Sequence, residues 1–463
     1  MAGRGKAILR TATLAVAGFA FVLAGRPASG APAEAAPARH VVLVSIDGLM
    51  PAAYTRPDEL GLAVPNLRRL AGEGAFARGV VGVLPTVTYP SHTTLLTGVP
   101  PREHGILYNT YFDPLGKSND AWLWYARDVR VPTLLSAARA AGRTVGAVSW
   151  PVSVGLAADW IVPEYWRSGS EHESDLELIR ALSTPGLLES AGAARGRPLS
   201  WPATDVDRTD LALTILREHR PGLLLLHLFE LDKQEHTYGP GSPEARAAVE
   251  ASDRELGRVL AAIRELDLGG RTLVAVVSDH GFVTVTKVIR PNWLLAEAGL
   301  LEVDDKGKVK SWKAYVHSHG GTGSLRLADP ADTATRTKAR ELFTAKLTEP
   351  GSGLGAVLDR KRLDELGADP HAELVLEAAD GYSISRTPTG GWEGPSTDRG
   401  YHGYSPDRPE LHASLIVAGP GLEKRGDLGV VPMTAIAPTL AAFLGVELDR
   451  AAAKPIPLFA PRR

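Results

Sequence analysis

Short, nearly unbroken apolar runs limit most strongly what this chain can fold into. The first is His40–Ile46 (HVVLVSI), and others span Thr144–Ser149, Gly222–Leu228, Thr272–Val277 and Ser414–Ala418. A run without polar alternation suits a strand covered on both faces, as in a parallel sheet flanked by helices. Helical patterns lie between the runs. Pro65 opens one (PNLRRLAGEG), with Pro in its first turn and Gly at its end. Pro132–Ala141 is another, Ser242–Leu266 is the longest, and Met433–Leu444 closes the series. Strands alternating with helices predict an α/β fold with a mostly parallel sheet. The stretch 291–399 breaks this rhythm with a charged turn at 304–308, one helix-like segment near Ala331–Leu347 and Gly-rich pieces. It reads as an inserted cap subdomain, leaving 40–290 and 400–450 as the core.

The N-terminus is different in kind. Arg4, Lys6 and Arg10 precede an apolar run, Ala12–Ala24, and small residues follow at Ser29, Gly30 and Ala31. This pattern predicts a signal peptide over 1–31, its apolar run too short to span a bilayer. An Ala/Pro linker over 32–39 follows. The expected location is therefore periplasmic or extracellular, with no stable membrane span after cleavage. The 463 residues include no cysteine, which excludes a disulfide scaffold, thiolate metal sites and a cysteine nucleophile. Lys+Arg total 51 against 53 for Asp+Glu, a balance with no electrostatic footprint for nucleic acid.

Polar clusters follow the apolar runs. Asp47 comes directly after the first, Asp232 and His236 follow LLLLHLFE, and Asp279 and His280 follow TLVAVVS; His402 sits in GYHGY. Sites in open α/β sheets form at the carboxyl ends of strands. Singly, each residue has an ordinary reading: a helix cap, a pair on one helical turn, a loop histidine. Together, three carboxylates and three imidazoles divide into two zinc-type sites, because zinc takes Asp oxygen and neutral His nitrogen. Oxygen-only calcium or magnesium sites would not need the imidazoles. Thr88, in LPTVTYPSH (84–92), is the nucleophile candidate, ahead of an apolar helix-like stretch at Thr93–Thr97. A hydroxyl at a helix N-terminus lies beside N–H groups that suit a phosphate. The plain alternative is a capping role, since a hydroxyl attacks only when a metal or base activates it.

The ordered set SIDG (45–48), PTVTYPSH (85–92), Thr97-Gly98, HGI (104–106) with Asn109, Asp232-x-x-x-His236, SDHGF (278–282) and HGY (402–404) resembles the alkaline phosphatase superfamily. Within it the chain looks most like the nucleotide pyrophosphatase/phosphodiesterase branch, in motif order from about residue 40 to 445. The resemblance implies an alkaline-phosphatase-like three-layer sandwich with a mostly parallel central sheet and an inserted smaller α+β subdomain. It implies two Zn2+ ions: one on Asp232, His236 and His402, the other on Asp47, Asp279 and His280 and touching Thr88. It also implies that Thr88 attacks phosphorus and that Asn109 holds a non-bridging phosphate oxygen. Tyr89 and Ser91 stand where the family has Phe and Asn, and Leu231 stands where it has Pro. None of these departures removes a ligand, but they leave nucleotide preference open.

The expected activity is hydrolysis of a phosphodiester or phosphoanhydride in a small molecule or nucleotide, through a phosphothreonine on Thr88. Monoesterases of this type add a Lys-x-Arg element after the strand at Thr144, whereas 148–153 here reads VSWPVS, with no cation. That favours a diester and makes Trp150 and Tyr89 candidates to stack on a base or other flat group. Trp150 reads equally as a core aromatic. His317 and His319 (HSHGGTGS) offer a phosphate contact or a structural loop, and His92 and His104 read as packing residues. Competing enzymes within the superfamily are a phosphonoacetate-type phosphonate hydrolase and a phosphate monoesterase. The reading from another class is a non-catalytic zinc-binding protein of the same fold.

Overall fold

A computed structural model describes residues 39–118, 121–166 and 174–460. The expected signal peptide, and all of the linker except Arg39, lie outside the described residues. No helix among the described residues is long and apolar enough to cross a membrane.

The apolar runs form the middle of an eight-stranded sheet. Across the sheet the strands are Gly426–Asp427, Ala75–Phe76, Leu415–Ala418, Thr272–Val277, His40–Ile46, Leu223–Leu228, Val145–Val148 and Trp160–Val162. The last five of these run parallel. Leu415–Ala418 is antiparallel to Thr272–Val277. The three central strands are buried along their whole length, as continuous apolar runs require.

Side chains alternate between two apolar layers. Val42, Val44 and Ile46 pack with Leu67, Leu211 and Leu256 from helices Pro65–Glu73, Asp205–His219 and Pro243–Glu265. Val41 and Leu43 pack with Leu95, Leu134 and Leu440 from helices Thr88–Thr97, Leu134–Ala140 and Ile436–Leu444. Helices therefore cover both faces, giving three layers. The longest helix buries Ala245, Val249, Ser252, Leu256, Val259 and Ile263, one stripe at helical spacing. Ser242 caps it by accepting the Ala245 N–H, and Pro243 takes the first helical position.

The register of the central strands positions the site. Ile46 lies opposite Leu228, and Ser45 opposite Val277, so the three strands end flush. Asp47, helix Glu230–Tyr238 and the pair Asp279-His280 all leave from that edge. Within 291–399 a separate antiparallel sheet runs in the order Ala314–Ser318, Thr322–Leu327, Leu374–Ala378, Leu354–Leu358. It packs its own apolar cluster, including Val316, Leu325, Phe343 and Leu376. Strand Val283–Ile289, leaving the Asp279-His280 corner, pairs with Gly381–Ile384, Glu393–Pro395 and Gly400–Tyr401. That ladder carries the chain back to His402.

Candidate active site

Two groups of three side chains meet at this edge, Asp232 with His236 and His402, and Asp47 with Asp279 and His280. In the first group, Asp232 Oδ1 lies 3.6 Å from both His236 Nε2 and His402 Nε2, and the two Nε2 atoms are 3.1 Å apart. In the second, His280 Nε2 is 3.4 Å from Asp47 Oδ1 and 3.1 Å from Asp279 Oδ2. A tetrahedral ion with bonds of about 2.0–2.1 Å separates its ligands by about 3.3 Å. Both groups have that spacing.

Neighbouring backbone aims the ligand atoms. His236 Nδ1 lies 3.1 Å from the Gly400 carbonyl, and His402 Nδ1 lies 3.1 Å from that of Thr86. A carbonyl only accepts, so each Nδ1 carries the proton and each Nε2 keeps its lone pair for the shared centre. The Gly48 N–H donates to Asp279 Oδ1 at 3.2 Å, which leaves Oδ2 facing His280. Gly48 has φ +74°, and a Cβ there would sit 2.7 Å from Glu235 Oε2. Gly403, at φ +83°, lets the His402 loop press on the His319 carbonyl, 1.8 Å from where a Cβ would be. Only glycine fits either position.

The electrostatics fit a pair of cations. Burial, then the Asp279 charge, pushes the Asp47 carboxyl well above its usual range. Burial raises Asp232 as well, partly offset by His236. Burial would also raise Asp279, but the adjacent His280 imidazole outweighs it and holds that carboxyl well below its usual range. Burial holds His402 neutral, reinforced by His280 and His236. Asp47 Oδ1, Asp232 Oδ1, Asp279 Oδ2 and both ring nitrogens of His280 are buried without a hydrogen-bond partner among the described residues. Buried acceptors without donors are costly, and crowded carboxylates more so. Carboxylate oxygen with imidazole nitrogen is a donor set that satisfies zinc.

Thr88 begins helix Thr88–Thr97, all of it buried, and lines one cleft with Asp47, Asp232 and His236. The residue before it, Val87, is extended and has no capping hydroxyl. Asn109 supplies the cap from outside the helix, its Oδ1 accepting the Tyr89 N–H at 2.9 Å. That bond fixes the amide, oxygen toward the helix and NH2 turned away. His92, one turn on, lies 2.8 Å from both the Thr88 carbonyl and Ser45 Oγ, tying the helix to the first strand. His104 contacts Thr94 Oγ1 at 3.1 Å, and burial pushes its imidazole down to about 3. Both histidines brace the helix.

The cleft has a volume of about 960 Å³. Neither aromatic expected from the sequence lines it. Trp150 is 1% exposed and packs edge-on to His92, with centroids 5.0 Å apart, inside the core. The turn after strand Val145–Val148 explains the correction: Ser149, with φ +52°, lines the cleft, whereas Trp150 packs into the core behind it. Tyr89 is fully buried against Trp122, because one helical step rotates it about 100° from Thr88. Trp122, Trp166, Trp201 and Phe229 are aromatic residues that do reach the cleft.

Glu164, Arg208 and His227 are polar residues of the wall that the sequence did not reveal. His227 interrupts an apolar strand, a signal that could have found it; its Nε2 lies 3.5 Å from Asp47 Oδ2, and burial keeps it neutral. Arg208 lies inside a helix, where nothing in its spacing marks it. His317 and His319 pack around Tyr108, the latter stacked at 4.1 Å, and do not line the cleft. Their turn braces the His402 loop: the Gly321 N–H donates to the His402 carbonyl at 2.8 Å, and Thr322 Oγ1 to that of Gly403 at 2.6 Å.

A family model described as type I phosphodiesterase / nucleotide pyrophosphatase matches residues 41–405. Human ectonucleotide pyrophosphatase/phosphodiesterase family member 7 is 28% identical over 291 residues, 61% of this chain and 55% of its own. Human family member 1 is 26% identical over 246 residues, 52% of this chain and 23% of its own. The chain thus spans about half the length of the first relative and less of the second. The solved structure of human ectonucleotide pyrophosphatase / phosphodiesterase 5 superposes with a TM-score of 0.63 at 19% identity. The overlap covers 88% of this chain and 96% of that one, a likeness of fold.

Proposed function

The chain belongs to the type I phosphodiesterase / nucleotide pyrophosphatase family, and from that membership we propose that it hydrolyses phosphodiester or phosphoanhydride bonds in small molecules, with Thr88 as nucleophile and two zinc ions as cofactors. The observation that carries this reading is the meeting of two three-residue groups at one sheet edge, with Asp47, Asp232 and His236 of those groups sharing one cleft with the helix-terminal hydroxyl of Thr88. Asp232, His236 and His402 would hold one ion, and Asp47, Asp279 and His280 the other. Zinc bound there would supply Lewis acidity, charge opposite the phosphoryl oxygens and a lowered hydroxyl pKa.

The chain's own residues then have distinct tasks. Thr88 Oγ1 forms a bond to phosphorus as the ester oxygen of the leaving group departs. Water displaces Thr88 in a second step and returns it as the free hydroxyl. The Asn109 NH2 and the Thr88 N–H at the helix start would hold the non-bridging oxygens, where charge develops. Two in-line displacements give net retention at phosphorus, and a chiral phosphorothioate reads it; inversion rules out the covalent step. With no Lys-x-Arg pair after Val145–Val148, the wall favours a diester over a doubly charged monoester.

In this reading 40–290 with 400–450 form the catalytic core, 291–399 is its cap, and 1–31 directs export. The deciding experiment compares zinc-loaded with chelator-stripped protein on bis(p-nitrophenyl) phosphate and p-nitrophenyl phosphate. A zinc-dependent kcat/KM preference for the diester is expected, and a monoester preference overturns the diesterase reading.

A further inference from the structure

Resting on the reading of Asn109 as the residue that holds a phosphoryl oxygen, we propose that the 291–399 segment sets that amide in place, through a buried Tyr108–Asp369–Arg326 network that acts as a positioning device for the reaction. Asn109 has no regular element to hold it. It sits in 105–118, a stretch with neither helix nor strand beyond one bridge from Thr110 to Trp122. Its carbonyl accepts the Leu123 N–H at 2.9 Å, and its side-chain oxygen accepts the Tyr89 N–H. The residues around it meet the antiparallel sheet of 291–399. In that sheet Tyr315 pairs with Arg326 and His317 with Ser324, so all four side chains share one face. His317 lies edge-on to Tyr108 at 4.8 Å and to Phe112 at 5.7 Å. The Arg326 guanidinium lies 4.7 Å from the Phe112 ring centroid. Val375, paired with Ser324 on the same face, clusters with Leu84 just ahead of Thr88. One sheet face thus abuts both the segment that leads to Thr88 and the segment that carries Asn109.

Asp369 is the anchor. It is buried, and both of its side-chain oxygens accept hydrogen bonds. Oδ2 takes the Tyr108 hydroxyl and, at 2.8 and 2.6 Å, the Nε–H and Nη2–H of Arg326. Oδ1 takes the His371 N–H at 2.8 Å, and the Asp369 carbonyl takes Arg360 Nη1 at 2.7 Å. Tyr108 is therefore held at its hydroxyl by a fixed carboxylate and on its ring face by the stacked His319. A buried ion pair adds little stability over hydrocarbon of the same volume, so what this one contributes is direction. An apolar contact would let the ring slide, whereas a hydroxyl bonded into a satisfied network pins the chain one residue from Asn109. A displacement of about 1 Å at a group that must meet a transition-state oxygen can cost about a hundredfold in rate.

The test is a double-mutant cycle on the zinc-loaded full chain with bis(p-nitrophenyl) phosphate. Tyr108→Phe keeps the stacked ring and removes only the hydroxyl. It should lower kcat at least about tenfold and leave KM within about twofold, because the Asn109 NH2 acts on charge that develops in the transition state. In an Asn109→Ala background the same change should lower kcat by less than about twofold, because a residue that acts only through Asn109 has nothing left to position. An equal loss in both backgrounds, or an unchanged kcat in the first, overturns the inference while leaving the diesterase reading intact. Asp369→Asn, which loosens the anchor from its other end, enters the same cycle if Tyr108→Phe does not fold. The Asn109 amide also gives a readout without turnover. Asparagine occurs only as Asn66, Asn109, Asn119 and Asn292, so isotopic labelling of asparagine gives a sparse NMR spectrum of side-chain NH2 pairs, in which Asn109→Asp identifies the pair of interest. Tyr108→Phe should shift or broaden that pair. Such a change supports the inference even if no diester is cleaved, in which case the diesterase reading alone fails; an unmoved pair overturns the inference.

Discussion

Thr88 and Asn109 share one structural fact, the Tyr89 N–H bonded to Asn109 Oδ1. In the proposed mechanism the two halves of the Asn109 amide therefore have separable jobs, the oxygen capping the helix and the NH2 holding a phosphoryl oxygen. Asn109→Ala should lower kcat by about 10²–10³-fold, the usual loss for one oxyanion donor, and lower stability by about 1 kcal/mol through the lost cap. Asn109→Asp keeps the acceptor and loses the donor, so denaturation should recover while kcat does not. Recovery of both would assign Asn109 to helix capping alone. Thr88→Ala should reduce turnover by at least about 10³-fold with metal content by mass spectrometry unchanged; ordinary turnover would remove Thr88 from its role. At this scale the six candidate ligands were legible because five of them are polar breaks at or beyond the end of an apolar run and the sixth, His402, sits in a distinctive GYHGY loop. Trp150 and Tyr89 were misplaced because composition near a motif does not say which way a side chain turns. One residue along the turn after a strand, or one step around a helix, moved both into the core.

At the scale of elements, strand ends and helix starts do the positioning. The turn after His40–Ile46 works only with glycine at 48, where φ is +74° and Glu235 and Phe282 crowd the missing Cβ. Gly48→Ala should destabilise by about 1–3 kcal/mol and weaken zinc binding, because the Gly48 N–H orients Asp279. Unchanged zinc affinity by competition with a chromophoric chelator would show that this bond does not set the ligand. His104, which ties helix Thr88–Thr97 to Pro101–His104, has a pH signature. Burial holds it near 3 when folded, against about 6.5 when unfolded. Below pH 6.5 the unfolded chain takes a proton that the folded chain does not. Stability is then lost as pH falls from about 6.5 toward 3, by up to about 1.4 kcal/mol per pH unit from this group. Urea denaturation of chelator-stripped protein from pH 7 to 5 should show the slope, and His104→Gln should reduce it. The main helices and strands were legible in periodicity. The edge strands Ala75–Phe76 and Gly426–Asp427 were not, since two residues carry no pattern.

Across the whole molecule, the central sheet and the 291–399 segment meet at the ligands. His402 returns to the site only after the ladder on Val283–Ile289 and is braced by the turn holding His317 and His319. Metal should therefore stabilise the chain globally. Zinc removal should lower Tm by several degrees in calorimetry, reversibly on zinc return, since a ligand bound only by the folded state adds RT ln(1 + [L]/Kd). An unchanged Tm would mean that the buried carboxylates are satisfied without it. The sequence by itself determined the α/β class, the order of the core strands along the chain and the residues of the two candidate ligand groups. Those depend on local apolar patterning and on chemically distinctive residues at strand ends. Only the tertiary structure decided which aromatics face the cleft and that Glu164 and Arg208 enter it. Those depend on the rotation of side chains about their own elements and on packing between segments far apart in the chain, which no local pattern records.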